Sequence, residues 1–204
     1  MNDFPDQIPI FPLTGVIYFP KTNLPLNIFE ERYLNLVNDA MKKNKLMGMI
    51  QTTKKGMDVY KVGCLGKING FKKSNDGKIF INLTGLIRFE IVKEIDSAKL
   101  YREFEVSYNK FKIDLKEEES VNSQIISKKI KILFKKNGLL INWKELEKLD
   151  KIQRINTLAM IAPLANEEKQ KLLEAITLED KIKTLNYIVN FYLHDVNFDN
   201  LTVQ

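Results

Sequence analysis

The spacing of apolar residues changes once along this chain, at Lys116-Glu117-Glu118-Glu119, and that change limits the possible folds more than any other feature. Before it, apolar side chains alternate with polar ones in short strand-like runs. After it, they recur every three or four residues, as on one face of a helix. A chain of 204 residues with 44% hydrophobic and 28% charged side chains can build a core for one domain or two small ones. The expected organisation is a β-rich part over 1–116 followed by an all-helical part over 117–204.

In the first part, Ile10-Phe11, Val16 to Phe19 and Leu24 to Phe29 read as short strands. Pro9, Pro12, Pro20 and Pro25 confine them to edges, strand starts or bends. Tyr33, Leu36, Val37, Ala40 and Met41 predict one amphipathic helix from about Glu31 to Lys43. Strands resume at Leu46–Thr52 and Asp58–Lys73, with Gly63, Gly66 and Gly70 marking bulges. Ser74-Asn75-Asp76-Gly77 predicts a tight hairpin turn. Ile79, Ile81 and Leu83 begin the next strand, Gly85 breaks it, Arg88 to Ile95 continues it, and Glu103 to Ile113 is the last. Six or seven strands with one inserted helix suit a barrel better than a flat sheet.

In the second part, Val121, Ile125, Ile126, Ile130, Leu133 and Phe134 predict a helix that Gly138 terminates. Trp143 to Ala162 reads as a second helical stretch, broken or continuous, with Pro163 ending it. Asn166 opens a third helix, to about Ala175, with two glutamates in its first turn. Thr177-Leu178-Glu179-Asp180 resembles a capping box and starts a last helix with Ile182, Leu185, Ile188, Val189 and Tyr192 on its apolar face. That face could cover the barrel or meet a second copy.

Net charge is +6, from 32 basic and 26 acidic residues. The excess lies wholly in 1–116, with 19 basic and 13 acidic, while 117–204 carries 13 of each. This leaves a nucleic acid or another acidic partner as an alternative. Phe71-Lys72-Lys73 and Arg88-Phe89 set bases beside aromatics, although strand alternation should send each aromatic to the core and each base to the surface. One cysteine, Cys64, and one histidine, His194, cannot build a disulfide, a four-ligand zinc site or a CxxC redox pair. Cys64 reads as a small buried residue and His194 as a helix-end histidine. No metal or cofactor is expected. The longest uncharged run, Gln7 to Pro20, is too short to span a bilayer, and the cationic start of a secretory signal is missing, so the expected compartment is the cytoplasm.

No catalytic motif is found. Gly63-Cys64-Leu65-Gly66-Lys67 has the wrong spacing for a phosphate-cradling loop, and neither GxSxG nor HExxH nor GxGxxG occurs. Glu30-Glu31 and Glu167-Glu168 are adjacent and diverge on a helix, unlike an acid/base pair. The chain therefore reads as non-enzymatic.

The opening segment is more specific. Ile8-Pro-Ile-Phe-Pro-Leu-Thr-Gly-Val-Ile-Tyr-Phe-Pro20, then Leu24-Pro-Leu-Asn-Ile-Phe-Glu-Glu-Arg-Tyr33, resembles the N-terminal, substrate-binding domain of the ATP-dependent Lon proteases. Gly48-Met49-Ile50, Val62-Gly63-Cys64, Gly85-Leu86-Ile87-Arg88-Phe89 and Pro163 to Glu174 continue the likeness in order, over about 8–195. Asn27 stands where the family usually has His, and Glu31 where it usually has Pro.

The resemblance implies an α+β fold: a PUA-like pseudo-β-barrel with one inserted helix, followed by a C-terminal helical bundle. It also implies a free-standing domain without the ATPase and Ser–Lys protease modules of a full Lon protease. The function implied is that of a non-catalytic module binding unfolded or extended polypeptide, an adaptor to a protease or chaperone in protein quality control. Phe19, Leu26 and Phe29 are expected in the core, and Glu30 with Arg32 to tie the loop to the helix start. The residues that this loop would offer to a peptide are Phe19, Asn27, Phe29, Glu30, Arg32 and Tyr33. The alternative function is an RNA-binding PUA-like protein, using Lys72, Lys73 and Arg88.

Overall fold

The computed structural model describes residues 4–53, 58–116 and 124–199 and, in the last stretch, the side chains of 128–193. The chain divides into two compact units, Met1–Lys116 and Glu117–Gln204. The first holds strands β1 (Gln7–Leu13), β2 (Asn23–Ile28), β3 (Leu46–Gln51), β4 (Val62–Lys73), β5 (Ile79–Ile95) and β6 (Glu103–Ser107). Helix α1 (Glu31–Lys42) lies between β2 and β3.

The strand order is β2-β5-β4-β3-β1-β6, and β5 also pairs with β6. Five strands thus close a ring, with β2 outside it, giving a ring-like sheet rather than a true barrel. β1 and β3 are parallel, which requires a crossover, and β2 with α1 supplies it. One edge of the 17-residue β5 lies along β4. Its other edge is shared, residues 79–84 pairing with β2 and 90–95 with β6. Register shifts at Leu65/Gly66 and Ile68/Gly70 bend β4, and a third at Ile91/Lys93 bends β5 into the ring.

Gly85 sits in the gap between the β2 and β6 ladders. It does not break the strand. A Cβ there would collide with the Phe19 carbonyl oxygen, so glycine lets the chain after β1 lie against the strand. Lys21 N–H donates to the Gly85 carbonyl and Gly85 N–H to that of Thr22, both at 2.9 Å. Val16–Phe19 is accordingly an irregular buried segment and not a strand. Ile17, Tyr18 and Phe19 are all buried, and the Thr22 hydroxyl donates to the Phe19 carbonyl at 2.6 Å. The hairpin turn forms as expected, with Gly77 at φ +85°. Hydrogen bonds from Lys78 and Ser74 hold the Asp76 carboxyl at about 2.

β6 ends at Ser107, and 3-10 turns occupy Asn109–Leu115, where strand had been expected to Ile113. The cause lies in Arg88 on β5. Its guanidinium lies 4.4 Å from the buried Phe111 ring and draws in the Asp114 carboxylate, which a continuing strand would carry away. α1 forms as its spacing predicts, with Tyr33, Leu36, Val37 and Ala40 buried.

The second unit holds α2 (Gln124–Lys136), α3 (Trp143–Lys148), α4 (Lys151–Ile161), α5 (Asn166–Glu174) and α6 (Leu178–Asp199). Gly138, at φ +66°, ends α2 as predicted, and Ile130, Leu133 and Phe134 are buried. Val121 lies outside the described residues, as do the side chains of Ile125, Ile126 and His194. The 143–162 stretch is broken because Asp150 caps a new helix, accepting from Gln153 N–H at 2.8 Å. α5 is secured by Glu168 reaching back to Ala165 N–H at 2.9 Å, with Asn166 already inside the helix. Thr177 accepts from Asp180 N–H at 3.0 Å and its hydroxyl donates to the Asp180 carboxylate at 2.6 Å, which starts α6. Ile182, Leu185, Ile188 and Val189 are buried, and α6 packs on α2, α4 and α5. Among the described residues no helix is long and apolar enough to cross a membrane.

Candidate functional site

Along β1, even-numbered residues aim main-chain groups toward β6, as in the 2.9 Å bond from Ile10 N–H to the Arg102 carbonyl. Odd-numbered ones face β3, where the Leu13 carbonyl accepts from Thr52 N–H at 3.4 Å. Pairing with β6 ends at Pro9, while pairing with β3 begins at Ile10. Each proline therefore falls where its ladder needs no donor: Pro9 faces β3 before that ladder starts, and Pro12 faces away beyond the β6 ladder's end.

The stretch of β1 left uncovered by β6 forms one wall of an open cleft of about 570 Å³. It is lined by Phe11, Pro12, Leu13, Thr14, Glu30, Arg32, Tyr33, Thr52 and Arg102. Beneath it Phe11 and Tyr33, both largely buried, pack with their rings 4.1 Å apart between centroids. Arg32 lies over Tyr33 at 4.5 Å and donates to Glu30 at 2.8 and 3.0 Å, which ties the loop to the start of α1 as expected. Arg102 lies 4.9 Å from the Phe104 ring and makes a two-pronged bond to Glu94, at 2.6 and 2.7 Å. The hydroxyls of Thr14 and Thr52 meet at 2.7 Å.

Burial pushes the Tyr33 phenol above its ordinary value, against the opposing pull of the Arg32 guanidinium, so it stays neutral at physiological pH. The hydrogen bonds from Arg102 hold the Glu94 carboxyl below its usual range. Phe11 and Tyr33 are both largely buried, so the cleft offers mainly its two guanidiniums, two hydroxyls and the Glu30 carboxylate, groups that can hydrogen-bond an extended main chain and its polar side chains. Among the described residues no cluster of His, Cys, Asp and Glu could hold a metal ion.

Of the six residues the sequence offers to a peptide, Glu30, Arg32 and Tyr33 come together in this cleft. Phe19 is fully buried and offers no side chain to the cleft. Asn27 is exposed on β2, opposite Phe80 on β5. Phe29 is 63% exposed, not in the core where it was expected, because it directly follows β2 after the buried Ile28 and continues the outward alternation of Asn23, Pro25 and Asn27. Phe11 with Thr14, Thr52 and Arg102 come from three stretches far apart in the sequence. Pro12 marked an edge or bend of β1 next to Phe11 and Thr14, and nothing in the sequence pointed to Thr52 or Arg102.

A second surface lies on the arm formed by β2 with the outer ends of β4 and β5. Phe71 and Phe80 are 42% and 47% exposed there, beside exposed Lys72 and Lys73. The expectation that Phe71 would be core fails because the arm extends past the ring, whereas Phe89, inside the ring, is buried as expected. Arg88 is not part of this surface: it is buried against Asp114.

Over residues 7–190 the chain matches the model of the ATP-dependent protease La (LON) substrate-binding domain. The Lon protease of Dictyoglomus thermophilum is 25% identical over 214 residues, spanning 98% of this chain and 26% of that protein. The Lon protease of Syntrophus aciditrophicus is 28% identical over 214 residues, spanning 93% and 25%. The chain thus spans about a quarter of the length of these curated relatives. Two solved structures share its fold. The Lon N-terminal domain protein from Xanthomonas campestris has a TM-score of 0.62 at 22% identity, covering 90% of this chain and 97% of that one. The N-terminal domain of the Mycobacterium avium complex Lon protease has a TM-score of 0.64 at 15% identity, covering 90% and 98%. Since the matched residues take in both the ring-like sheet and the helices after it, the chain belongs to the ATP-dependent protease La (LON) substrate-binding domain family.

Proposed function

We propose that this chain binds extended or unfolded polypeptide in the cleft beside β1 and delivers it, as an adaptor, to a protease or chaperone. The observation that carries the reading is the membership in a substrate-binding family together with an open cleft flanked by Arg32 and Arg102 beside the uncovered stretch of β1. The client's main chain meets the threonine hydroxyls and the uncovered side of β1, and its side chains lie against Arg32 and Arg102 above the largely buried Phe11 and Tyr33. The test is fluorescence anisotropy with a labelled, permanently unfolded alkylated protein. Saturable binding on the order of tens of micromolar supports the reading. No binding by folded protein at ten times that concentration overturns it.

A second reading, RNA binding, rests on the arm, where Phe71 and Phe80 are exposed beside Lys72 and Lys73. Salt separates the two. Phosphate-driven binding weakens steeply between low and physiological salt, and capture of a client's main chain changes little.

A further inference from the structure

Within the helical unit, charge and exposed apolar surface coincide at a place the cleft does not involve. Residues 117–204 are balanced in charge, yet the stretch from Gln124 to Lys148 carries seven lysines against two glutamates. At its centre the chain leaves α2 through Gly138 and puts Leu139 and Leu140 into solvent, the first 41% exposed and the second fully. They border an open, mainly apolar groove of about 460 Å³, with Phe134 and Trp143 in its wall and Lys131 and Lys135 at its rim. The two rings stand edge to face, 5.8 Å apart. Lys131 is already engaged, 3.2 Å from Glu147 and 5.1 Å from the Trp143 ring. Lys135 has no carboxylate within salt-bridge distance among the described residues.

We propose that this groove docks an acidic amphipathic polypeptide segment, its apolar side chains on Leu140 and Trp143 and its carboxylates on Lys135 and Lys131. Charge selects the occupant. A neutral or basic segment covering the leucines would strip water from Lys135 without supplying a counter-charge, whereas an acidic one supplies it. Segments of this kind present apolar anchors at three- and four-residue spacing, which suits a groove bordered by two leucines and a tryptophan. The inference stands apart from the cleft, since it uses no residue of the first unit.

Trp143 is the only tryptophan, so its emission reports on the groove directly. The probe is a synthetic helical peptide with leucines on one face and glutamates elsewhere, titrated into the full chain alongside a version with lysine for every glutamate. The acidic peptide should shift Trp143 emission saturably, the basic one should not, and added salt should weaken the effect. Leu140→Ser and Lys135→Glu should each weaken binding about tenfold or more without altering the circular dichroism melting curve, because both side chains lie in solvent. Equal binding of the basic peptide, or no shift with the acidic one, overturns the proposal. So does a homodimer in sedimentation that Leu140→Ser dissolves, or displacement of the peptide by an RNA oligonucleotide.

Discussion

Asp114 holds Arg88 by both its side chain and its main chain. One carboxylate oxygen accepts from the Arg88 backbone N–H at 3.0 Å and from Nε at 2.9 Å, and the other accepts from Nη2 at 2.7 Å. Both side chains are nearly out of solvent, 2% and 9% exposed. A single residue thereby fixes the 3-10 turns against β5 where the first unit ends.

Asp114→Asn should destabilise the first unit by about 3–5 kcal/mol, because it leaves a buried guanidinium without its counter-charge. Replacing both partners, as Arg88→Met with Asp114→Leu, should recover part of that loss. The recovery stays incomplete because the Arg88 N–H still lacks its acceptor. Urea denaturation of the three proteins checks this, and a double variant as weak as Asp114→Asn would refute it.

Gly85→Ala should cost about 1–3 kcal/mol, as expected for forcing an extra methyl into filled space. The atom it meets is a backbone carbonyl, that of Phe19, which cannot rotate aside as a side chain would. The main-chain bonds of Lys21 and Thr22 to Gly85 should loosen with it. Thermal melting measures the loss, and faster amide exchange at Lys21 locates it.

The Glu94–Arg102 pair sets a dependence on pH. The Glu94 carboxyl is lowered from its ordinary value of 4.5 in the folded protein, so its contribution to stability is complete above that value. The contribution is lost as pH falls through the lowered value. Wild type should exceed Glu94→Gln in stability at neutral pH, and the two curves should converge in strong acid. The gap should be small, since the pair is partly exposed. Denaturation midpoints across pH 2–7 test the sign.

If polypeptide occupies the cleft, Thr14→Phe should obstruct it with little effect on folding, since Thr14 is exposed at the cleft's edge. Affinity for the unfolded probe should fall about tenfold. A matched change on the arm, Phe80→Ser, should leave that affinity unchanged but weaken RNA binding if RNA is the ligand.

The β-to-helix order, α1 and the Ser74–Gly77 turn could be read from the sequence because each depends on local chemistry: apolar period, helix face, and residues that tolerate positive φ. Val16–Phe19 could not. Its β-branched and aromatic composition is what a strand needs, but also what a buried crossing segment needs, and only the bonds around Gly85 distinguish the two. Asn109–Leu115 failed for a similar reason, since Asp114 answers to an arginine 26 residues earlier. In the cleft, the contiguous motif from Glu30 to Tyr33 was visible. Phe11, Thr52 and Arg102 were not, because they become neighbours only when the ring closes.

The ladder between β1 and β6 joins Gln7 to Glu105 and Pro9 to Glu103, nearly the whole length of the first unit. During synthesis, a nascent chain therefore cannot close its ring until Ser107 has left the ribosome. Until then, the β6-facing side of β1 is an open strand edge with Ile8 and Ile10 beside it. Truncations or pauses before that point should leave a fragment with helix α1 and most of the strands, prone to edge-to-edge association. The same long-range closure makes the ring slow to form relative to the local hairpin at Gly77, which is complete after a short span of chain.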